Sequence, residues 1–200
     1  MLCKNEIRIL EDLFVDLTKE NTISGISIAL DQRYPQTHRD IEKLESKSLI
    51  KIKKIGQSKV VKLDFSSFHP EYSLVETERL LKKTKNPDLR ALLEKLVRIN
   101  QQFTCLLFGS YASGKSKKES DIDLLFIIPK EYEMQKFEKI VKNSLILERI
   151  DINIITEDSL FEMWSAPEKL NVGNEILKNH IVLSGSDYFI GLLGKKNVGR

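Results

Sequence analysis

The sequence predicts an α+β protein built from three consecutive regions, which span residues 1–66, 67–99 and 100–200. Three observations lead to this class. Apolar residues recur at helical spacing in the first two regions, a lysine-rich hairpin ends the first, and strands alternate with helices in the third. The chain has 41% hydrophobic and 30% charged residues, which is typical of a soluble globular protein and not of a disordered one.

Helical periodicity dominates the start of the first region. Apolar residues three and four positions apart predict an amphipathic helix over residues 5–19 and a shorter helix over residues 23–30. A third helix is expected to open at Tyr34 and Pro35, because proline is well tolerated in the first turn of a helix.

A lysine-rich hairpin is predicted after the third helix. Residues 50–53 and 59–63 have the pattern of two strands, and Gly56 lies in the turn between them. From Lys47 to Lys62 there are six lysines and no acidic residue, although the whole chain has a net charge of only +3. Such a segment is typical of a surface that contacts phosphates. It is also compatible with a solvated strand edge whose charges deter aggregation.

The second region is predicted to be a helical connector. We expect a helix over residues 71–83, and then a second helix with Asn86 as its N-cap and Pro87 in its first turn. Apolar residues between 89 and 97 form a helical stripe along this second helix. The two helices offer a surface on which a homodimer could form, and the sequence is compatible with either a monomer or a dimer.

The third region has the pattern of a sheet domain. Strands are predicted over residues 103–108, 122–128 and 149–155, and a helix is predicted over residues 131–143 between the last two strands. This alternation predicts a sheet flanked by helices.

Two aspartates stand at the start of the predicted central strand of this domain. Asp121 and Asp123 are two positions apart, so both carboxylates should project from the same face, while Ile122 and Leu124 point to the apolar side. Asp151 begins the next alternating strand and can reach the same site if the two strands are neighbours. Adjacent carboxylates repel each other unless a cation lies between them, and Mg²⁺ prefers such oxygen ligands. Three carboxylates around one or two Mg²⁺ ions are an apparatus for phosphoryl transfer.

A glycine–serine loop precedes these aspartates. The apolar strand ends at Gly109 and Ser110, where glycine lets the backbone approach a phosphate closely and the serine hydroxyl can donate a hydrogen bond to it. The start of a following helix would add free N–H groups. Three lysines farther along the loop suit a triphosphate, namely Lys115, Lys117 and Lys118.

These motifs resemble a known superfamily. Residues 108–114 followed by residues 119–125 are similar to the motif of the DNA polymerase beta-like nucleotidyltransferases, and within them to the minimal nucleotidyltransferases of archaea and bacteria. The resemblance covers about half of the chain and extends to Asp151 and to residues 181–185. It implies a mixed sheet flanked by helices. The competing interpretation is a chance occurrence of Gly-Ser and Asp-x-Asp in a loop and at a strand end.

The resemblance also implies roles for individual residues. Gly109 and Ser110 would hold the nucleotide phosphates, Asp121 and Asp123 would bind two Mg²⁺ ions, and Asp151 would complete the metal site and help activate the acceptor hydroxyl. One departure concerns Ser113, because many relatives have arginine or lysine at this place. Lys115 is the candidate replacement for that charge, so Ser113 and Lys115 complete the expected nucleotide-binding set.

A second resemblance concerns the first third of the chain. Residues 37–50 resemble the recognition helix and wing entry of winged helix-turn-helix domains, with Ser48 where such domains often have glycine. A DNA major groove would be read by the helix, and phosphates would be met by the hairpin. Winged helices also mediate protein contacts, so DNA is one of two kinds of partner. The expected DNA-binding residues are Gln36, Thr37, Arg39, Lys43, Lys53, Lys54 and Lys59.

Two hypotheses about function follow. The first is an enzyme that transfers a nucleoside monophosphate from an NTP, in the first place AMP from ATP, to an acceptor hydroxyl with release of pyrophosphate. The acceptor stays open, because similar minimal nucleotidyltransferases often act as antitoxins that adenylylate a HEPN-type toxin, and other members of the superfamily modify antibiotics, tRNA ends or proteins. The second is a DNA-binding transcriptional regulator with a weakly active or inactive nucleotidyltransferase-like domain.

Location is predicted from what the sequence lacks. No apolar run approaches the length that crosses a bilayer, and the first residues do not resemble a secretory signal. We therefore expect a cytoplasmic protein without membrane contact.

Overall fold

The computed structural model of the chain describes residues 1–117, 119–145 and 149–198, with side chains described through residue 196. Helices and strands are numbered here in chain order. The helices are α1 Lys4–Val15, α2 Ile23–Ala29, α3 Tyr34–Ser46, α4 Pro70–Lys83, α5 Pro87–Leu96, α6 Gly109–Ser113, α7 Met134–Ser144, α8 Glu157–Ser165, α9 Val172–Lys178 and α10 Ser186–Val198. The strands are β1 Asn21–Thr22, β2 Ile50–Ile55, β3 Ser58–Leu63, β4 Thr104–Phe108, β5 Ile122–Ile128, β6 Ile150–Thr156 and β7 Ile181–Ser184.

The N-terminal region packs three helices against a small antiparallel sheet with strand order β1-β3-β2. The predicted hairpin is confirmed, and it is longer than expected because the pairing of β2 with β3 extends to Ile55 and Ser58. Gly56 lies in the turn with a φ of 59°, a conformation that glycine adopts without strain. The apolar faces of α1, α2 and α3 meet over this sheet and form the first core.

Two local features differ from the sequence-based expectation. Helix α1 ends at Val15 and not at residue 19, because the Asp16 carboxylate accepts hydrogen bonds from the amide and hydroxyl of Thr18 and thereby forms a turn. The short strand β1 was not predicted. It has only two residues, and it pairs through Asn21 with Val61.

The two connector helices belong to different cores. The side chains of Tyr72 and Val75 on α4 are buried in the N-terminal core, and the Tyr72 hydroxyl donates to the carbonyls of Leu49 and Asp64. The leucines of α5 are instead buried against the C-terminal sheet. As predicted, Asn86 caps α5, because its side chain accepts a hydrogen bond from the amide of residue 88 at 2.9 Å.

The C-terminal region contains a four-stranded mixed sheet with strand order β6-β5-β4-β7, flanked by helices, as expected for the α+β class. Strand β5 pairs parallel with β6 through the crossover helix α7 and antiparallel with β4. One face of the sheet packs on α5 and α7, and the other packs on α8, α9 and α10. In the described part of the chain, no helix combines the length and apolar character needed to cross a membrane.

Three details of this region were predicted inaccurately. Strand β7 was not expected as a strand. Helix α7 begins at Met134 and not at residue 131, after a turn in which the Tyr132 amide donates to the Pro129 carbonyl. Strand β6 begins at Ile150, because Arg149 has a φ of 60° and therefore does not continue the strand alternation.

Candidate active site

The acidic residues of the candidate site lie on the two parallel strands. Asp123 on β5 is the register partner of Asp151 on β6, and Asp121 directly precedes β5. Partners on neighbouring parallel strands are about 5 Å apart and project from the same face of the sheet. The face opposite to Asp123 carries Ile122 and Leu124, which are buried in the core beneath α5 and α7. The strand order therefore places Asp151 beside Asp123, as the sequence-based hypothesis required.

The electrostatics of this cluster suit a cation. Burial raises the pKa of Asp123, and the negative charges of Asp151 and Asp121 raise it further. Asn153, which shares the face of Asp151, donates from Nδ2 to Asp151 Oδ2 at 3.2 Å. Carboxylate oxygens are ligands that hard divalent cations prefer, and the positive charge of a bound cation would relieve this repulsion. Among residues 1–117, 119–145 and 149–198, however, no three His, Cys, Asp or Glu side chains are gathered closely enough to hold a metal ion as they stand.

Glycine at position 109 lies against the central carboxylate. Phe108, the last residue of β4, is the register partner of Asp123, and Gly109 follows it with a φ of 65°. A Cβ atom at position 109 would lie only 2.1 Å from Asp123 Oδ2. Both the backbone conformation and the space therefore require glycine here.

Helix α6 forms a tight turn after this glycine. It ends at Gly114, whose φ of 72° is left-handed and reverses the chain direction. The Ser110 carbonyl accepts hydrogen bonds from the Ser113 hydroxyl at 3.1 Å and from the Lys115 amide at 2.9 Å. The Ser113 hydroxyl thus faces the loop itself, while the side chain of Lys115 is exposed.

Two further lysines of this loop were expected to suit a triphosphate. Lys117 is exposed, and its amide donates to the Ser120 hydroxyl at 2.8 Å. Lys118 lies outside the described residues.

A cleft of about 1030 Å³ lies next to this loop, between α1, α4 and α6. Ala112 and Ser113 form one of its walls, and the carboxylates of the candidate site are not among its lining residues. The candidate site and this cleft are therefore neighbours that meet at α6. Lysine and arginine side chains lie on the opposite walls, contributed by α1 and α4, namely Lys4, Arg8, Arg79, Lys82 and Lys83.

The residues expected to bind DNA are only partly accessible. The prediction for Thr37 is wrong, because Thr37 is fully buried and its hydroxyl faces Gln32 Oε1 and the Arg33 carbonyl. On α3 the position of Thr37 continues the stripe of Ile41 and Leu44, four and seven residues later, and this stripe forms the buried face.

Other expected DNA-binding residues are exposed or half-buried. Gln36 is half-buried and donates to Asp40, while Arg39 is exposed and donates to Gln36. The remaining members of the set are exposed on α3 and on the hairpin, namely Lys43, Lys53, Lys54 and Lys59.

Comparison with known proteins agrees with the geometry of the C-terminal region. Residues 90–188 match the family model described as Polymerase beta, Nucleotidyltransferase. The match runs from within α5 to the first turn of α10 and contains the glycine–serine loop and all three aspartates. It supports the nucleotidyltransferase superfamily for this region and, with it, a nucleotidyl transfer function in general. A search of curated proteins found no match to the chain.

Replacing Gly109 with alanine tests the close packing at the site. We expect the rate of nucleotidyl transfer to fall by about 10²-fold or more, because the new methyl group must displace the Asp123 carboxylate, and misplacement by about 1 Å costs that much. The free energy of unfolding should fall by only about 1–2 kcal/mol, the cost of a left-handed conformation in a residue with a side chain.

Gly56→Ala is the matched control, because Gly56 also has positive φ but has nothing within 4 Å of a Cβ. It should show the same loss in urea denaturation and full activity. Equal activity of the Gly109→Ala and Gly56→Ala proteins would contradict the assigned role of Gly109.

Proposed function

We propose that the protein is a Mg²⁺-dependent nucleotidyltransferase that moves a nucleoside monophosphate, in the first place AMP from ATP, onto an acceptor hydroxyl. The observation that carries this proposal is the register pair of Asp123 and Asp151, with Gly109 packed against the Asp123 carboxylate inside the region that matches the polymerase beta family. The charges of Asp151 and Asp121 raise the pKa of Asp123, and such a group of carboxylates is costly unless it binds a cation.

The reaction assigns a task to each part of the site. The Ser110 hydroxyl donates a hydrogen bond to a phosphate oxygen, and Gly109 allows the triphosphate to approach the backbone. Asp121, Asp123 and Asp151 would hold the metal ions. When bound, Mg²⁺ neutralises the triphosphate and lowers the pKa of the acceptor hydroxyl.

Asp151 also accepts the proton of that hydroxyl, with its carboxylate oriented by Asn153. The hydroxyl oxygen forms a bond to the α-phosphorus, the bond to the bridging oxygen breaks, and pyrophosphate leaves.

For the acceptor we propose the hydroxyl of a protein side chain, as in the toxin–antitoxin pairs of similar minimal nucleotidyltransferases. A HEPN-type toxin would be the partner, and its tyrosine would receive AMP. The support for this acceptor is the resemblance of the motif from residue 108 to residue 125.

Mass spectrometry of the protein incubated with Mg²⁺, an NTP and a candidate partner tests the proposed acceptor. The expected result is a partner peptide that carries one nucleoside monophosphate on a hydroxyl residue, with one pyrophosphate released per adduct. Turnover of NTP without an adduct on any protein would contradict a protein acceptor and indicate a small molecule or RNA.

A second candidate function concerns the N-terminal region, which we propose to be a winged helix domain that binds DNA and is cytoplasmic with the rest of the chain. The proposal is supported by the element order α1-β1-α2-α3-β2-β3 and by the exposed lysines of the hairpin. A stronger form of this proposal is that the chain is a transcriptional regulator whose nucleotidyltransferase domain has little or no activity. DNA binding and nucleotidyl transfer are nevertheless compatible in one chain, because they use different surfaces.

Gel-shift titration with the protein's own promoter region tests this candidate. Replacing Lys53 and Lys54 with alanine should weaken binding and reduce the slope of log K against log salt by about two, because each lysine that contacts a phosphate releases about one counterion. The control removes the same charge from α7, where Lys136 pairs with Glu133, the N-cap residue of the helix, and Lys142 pairs with Glu138. Absence of DNA binding at low salt, together with robust NTP turnover, would refute the regulator.

A further inference from the structure

Two adjacent lysines at the end of α4 contact different parts of the protein. Lys82 Nζ lies 2.5 and 2.6 Å from the two carboxylate oxygens of Glu11 on α1. Lys83 Nζ donates to the carbonyl of Ala112 on α6 at 3.1 Å. The end of α4 is therefore held between the N-terminal region and the glycine–serine loop, at the cleft that both lysines line.

The ammonium group of Lys83 remains available to a ligand. Lys83 is half-buried, and its Nζ would lie 3.7 Å from a Cβ at Gly114, so it rests on the turn of the loop. An ammonium group has three N–H donors, and the Ala112 carbonyl accepts one of them. In the described part of the chain, no carboxylate lies within ion-pair distance of Lys83, whereas Lys82 is paired with Glu11.

Among the described residues of the loop, the side chains supply little positive charge close to its turn. The Ser113 hydroxyl donates to the carbonyl of Ser110, and Lys115 is exposed at the end of a flexible four-carbon side chain. A triphosphate bears several negative charges, and a partly desolvated ammonium group that is fixed in place stabilises such charges better than an exposed one. Lys83 is fixed in this way by α4 and by the Ala112 carbonyl.

We propose that Lys83 is a nucleotide-binding residue that contacts the triphosphate of the NTP substrate. It is contributed by α4, outside residues 90–188, which match the family model. This inference rests on the proposed nucleotidyltransferase function and adds a specificity to it. The site should bind a nucleoside triphosphate more tightly than a monophosphate, because Lys83 contacts the β- and γ-phosphates, which leave as pyrophosphate.

The test is the equilibrium affinity of the full-length protein for ATP and for AMP in the presence of Mg²⁺, measured by calorimetry. Lys83→Met should weaken ATP binding by about tenfold or more, the usual effect of one hydrogen bond between charged groups, and change AMP binding by less than about twofold. Lys83→Arg should restore most of the ATP affinity. Lys85→Met removes the same charge from an exposed position two residues later and should bind ATP like the wild type.

Lys83→Gln separates binding of the phosphate from positioning of the loop, because glutamine keeps an N–H donor for the Ala112 carbonyl but has no charge. Weak ATP binding by this variant supports the proposal, and restored binding would overturn it. Equal losses for ATP and AMP, or unchanged ATP binding in Lys83→Met, would also overturn it. If the wild type binds no NTP at all, the proposed function fails together with this inference, a result distinct from failure of the Lys83 variants alone.

Discussion

Replacing Asp121 and Asp123 with asparagine is expected to lower the rate of nucleotidyl transfer by at least about 10³-fold. Residues that only orient metal ligands already cost 10–100-fold when they are lost, so removal of two ligands should cost more. The measurement is transfer of label from an α-labelled NTP under single-turnover conditions. The Asp31→Asn variant is the control, because Asp31 is exposed in the N-terminal region and asparagine tolerates its positive φ.

The Asp123→Asn change should raise the stability of the metal-free protein although it lowers the activity. In the folded protein the pKa of Asp123 is raised by burial and by the charges of Asp151 and Asp121, so its ionised form destabilises the metal-free fold. The stability lost to this charge is recovered as the pH falls through the raised pKa. Asp123→Asn should therefore raise the unfolding midpoint of the metal-free protein at pH 7 and remove this part of its pH dependence. A large loss of stability in this variant would contradict the account.

The second large effect is expected at a buried ionic cluster that joins α4 to the C-terminal sheet. Glu76 and Arg79 are almost fully buried and pair at 2.5 Å, and Arg79 also donates to the carbonyl of His180 at 2.6 Å. His180 is fully buried, and its Nδ1 lies 2.7 Å from the carbonyl of Ile176 and its Nε2 lies 3.5 Å from Glu76 Oε1. The cluster thus connects the connector helix with the residue directly before β7.

Glu76→Ala should lower the free energy of unfolding by about 3–5 kcal/mol, because it leaves the Arg79 guanidinium buried without its partner. Glu76→Gln should cost less, since the amide oxygen can still accept from Arg79. The matched control is Glu78→Ala, which removes the same group from a half-buried position on the same helix. Urea denaturation measures all three, and equal stability of the Glu76→Ala and Glu78→Ala proteins would contradict the assignment.

This cluster also predicts a dependence on pH. Burial raises the pKa of Glu76, but the charge of Arg79 and the contact with His180 outweigh it, so the pKa lies below its ordinary value. A lowered pKa means that the contribution to stability is complete above the ordinary value of glutamate, about 4.3, and is lost as the pH falls through the folded value. The wild type should therefore lose more stability than Glu76→Gln on acidification below about pH 4.3.

Much of the candidate site could be predicted because its determinants are local. The two-residue spacing of Asp121 and Asp123 places both on one face of a strand, and the helix between the strands predicts the parallel pairing that brings Asp151 alongside. Gly109 was expected to allow a phosphate to approach. In addition, a Cβ at this position would meet the Asp123 carboxylate, a constraint that only the pairing of β4 with β5 creates.

The remaining features depend on contacts that are distant in the sequence. Lys83 meets Ala112 across 29 positions, and Arg79 meets His180 across 101, so neither contact leaves a local pattern. Strand β7 has only four residues, and its first three are buried, so it lacks the alternation that marks a half-exposed strand. Thr37 could have been placed correctly, because it lies at helical spacing from Ile41 and Leu44.

A comparison of α-labelled and γ-labelled ATP tests the central claim most directly. The wild-type protein would be incubated with Mg²⁺, the candidate acceptor and each labelled nucleotide in turn, beside the variant with Asp121→Asn and Asp123→Asn. We predict that the α-label moves to the acceptor, that the γ-label is released as pyrophosphate, and that the variant shows neither. Transfer of the γ-label to the acceptor, or equal transfer by variant and wild type, would contradict a nucleotidyltransferase that depends on these carboxylates.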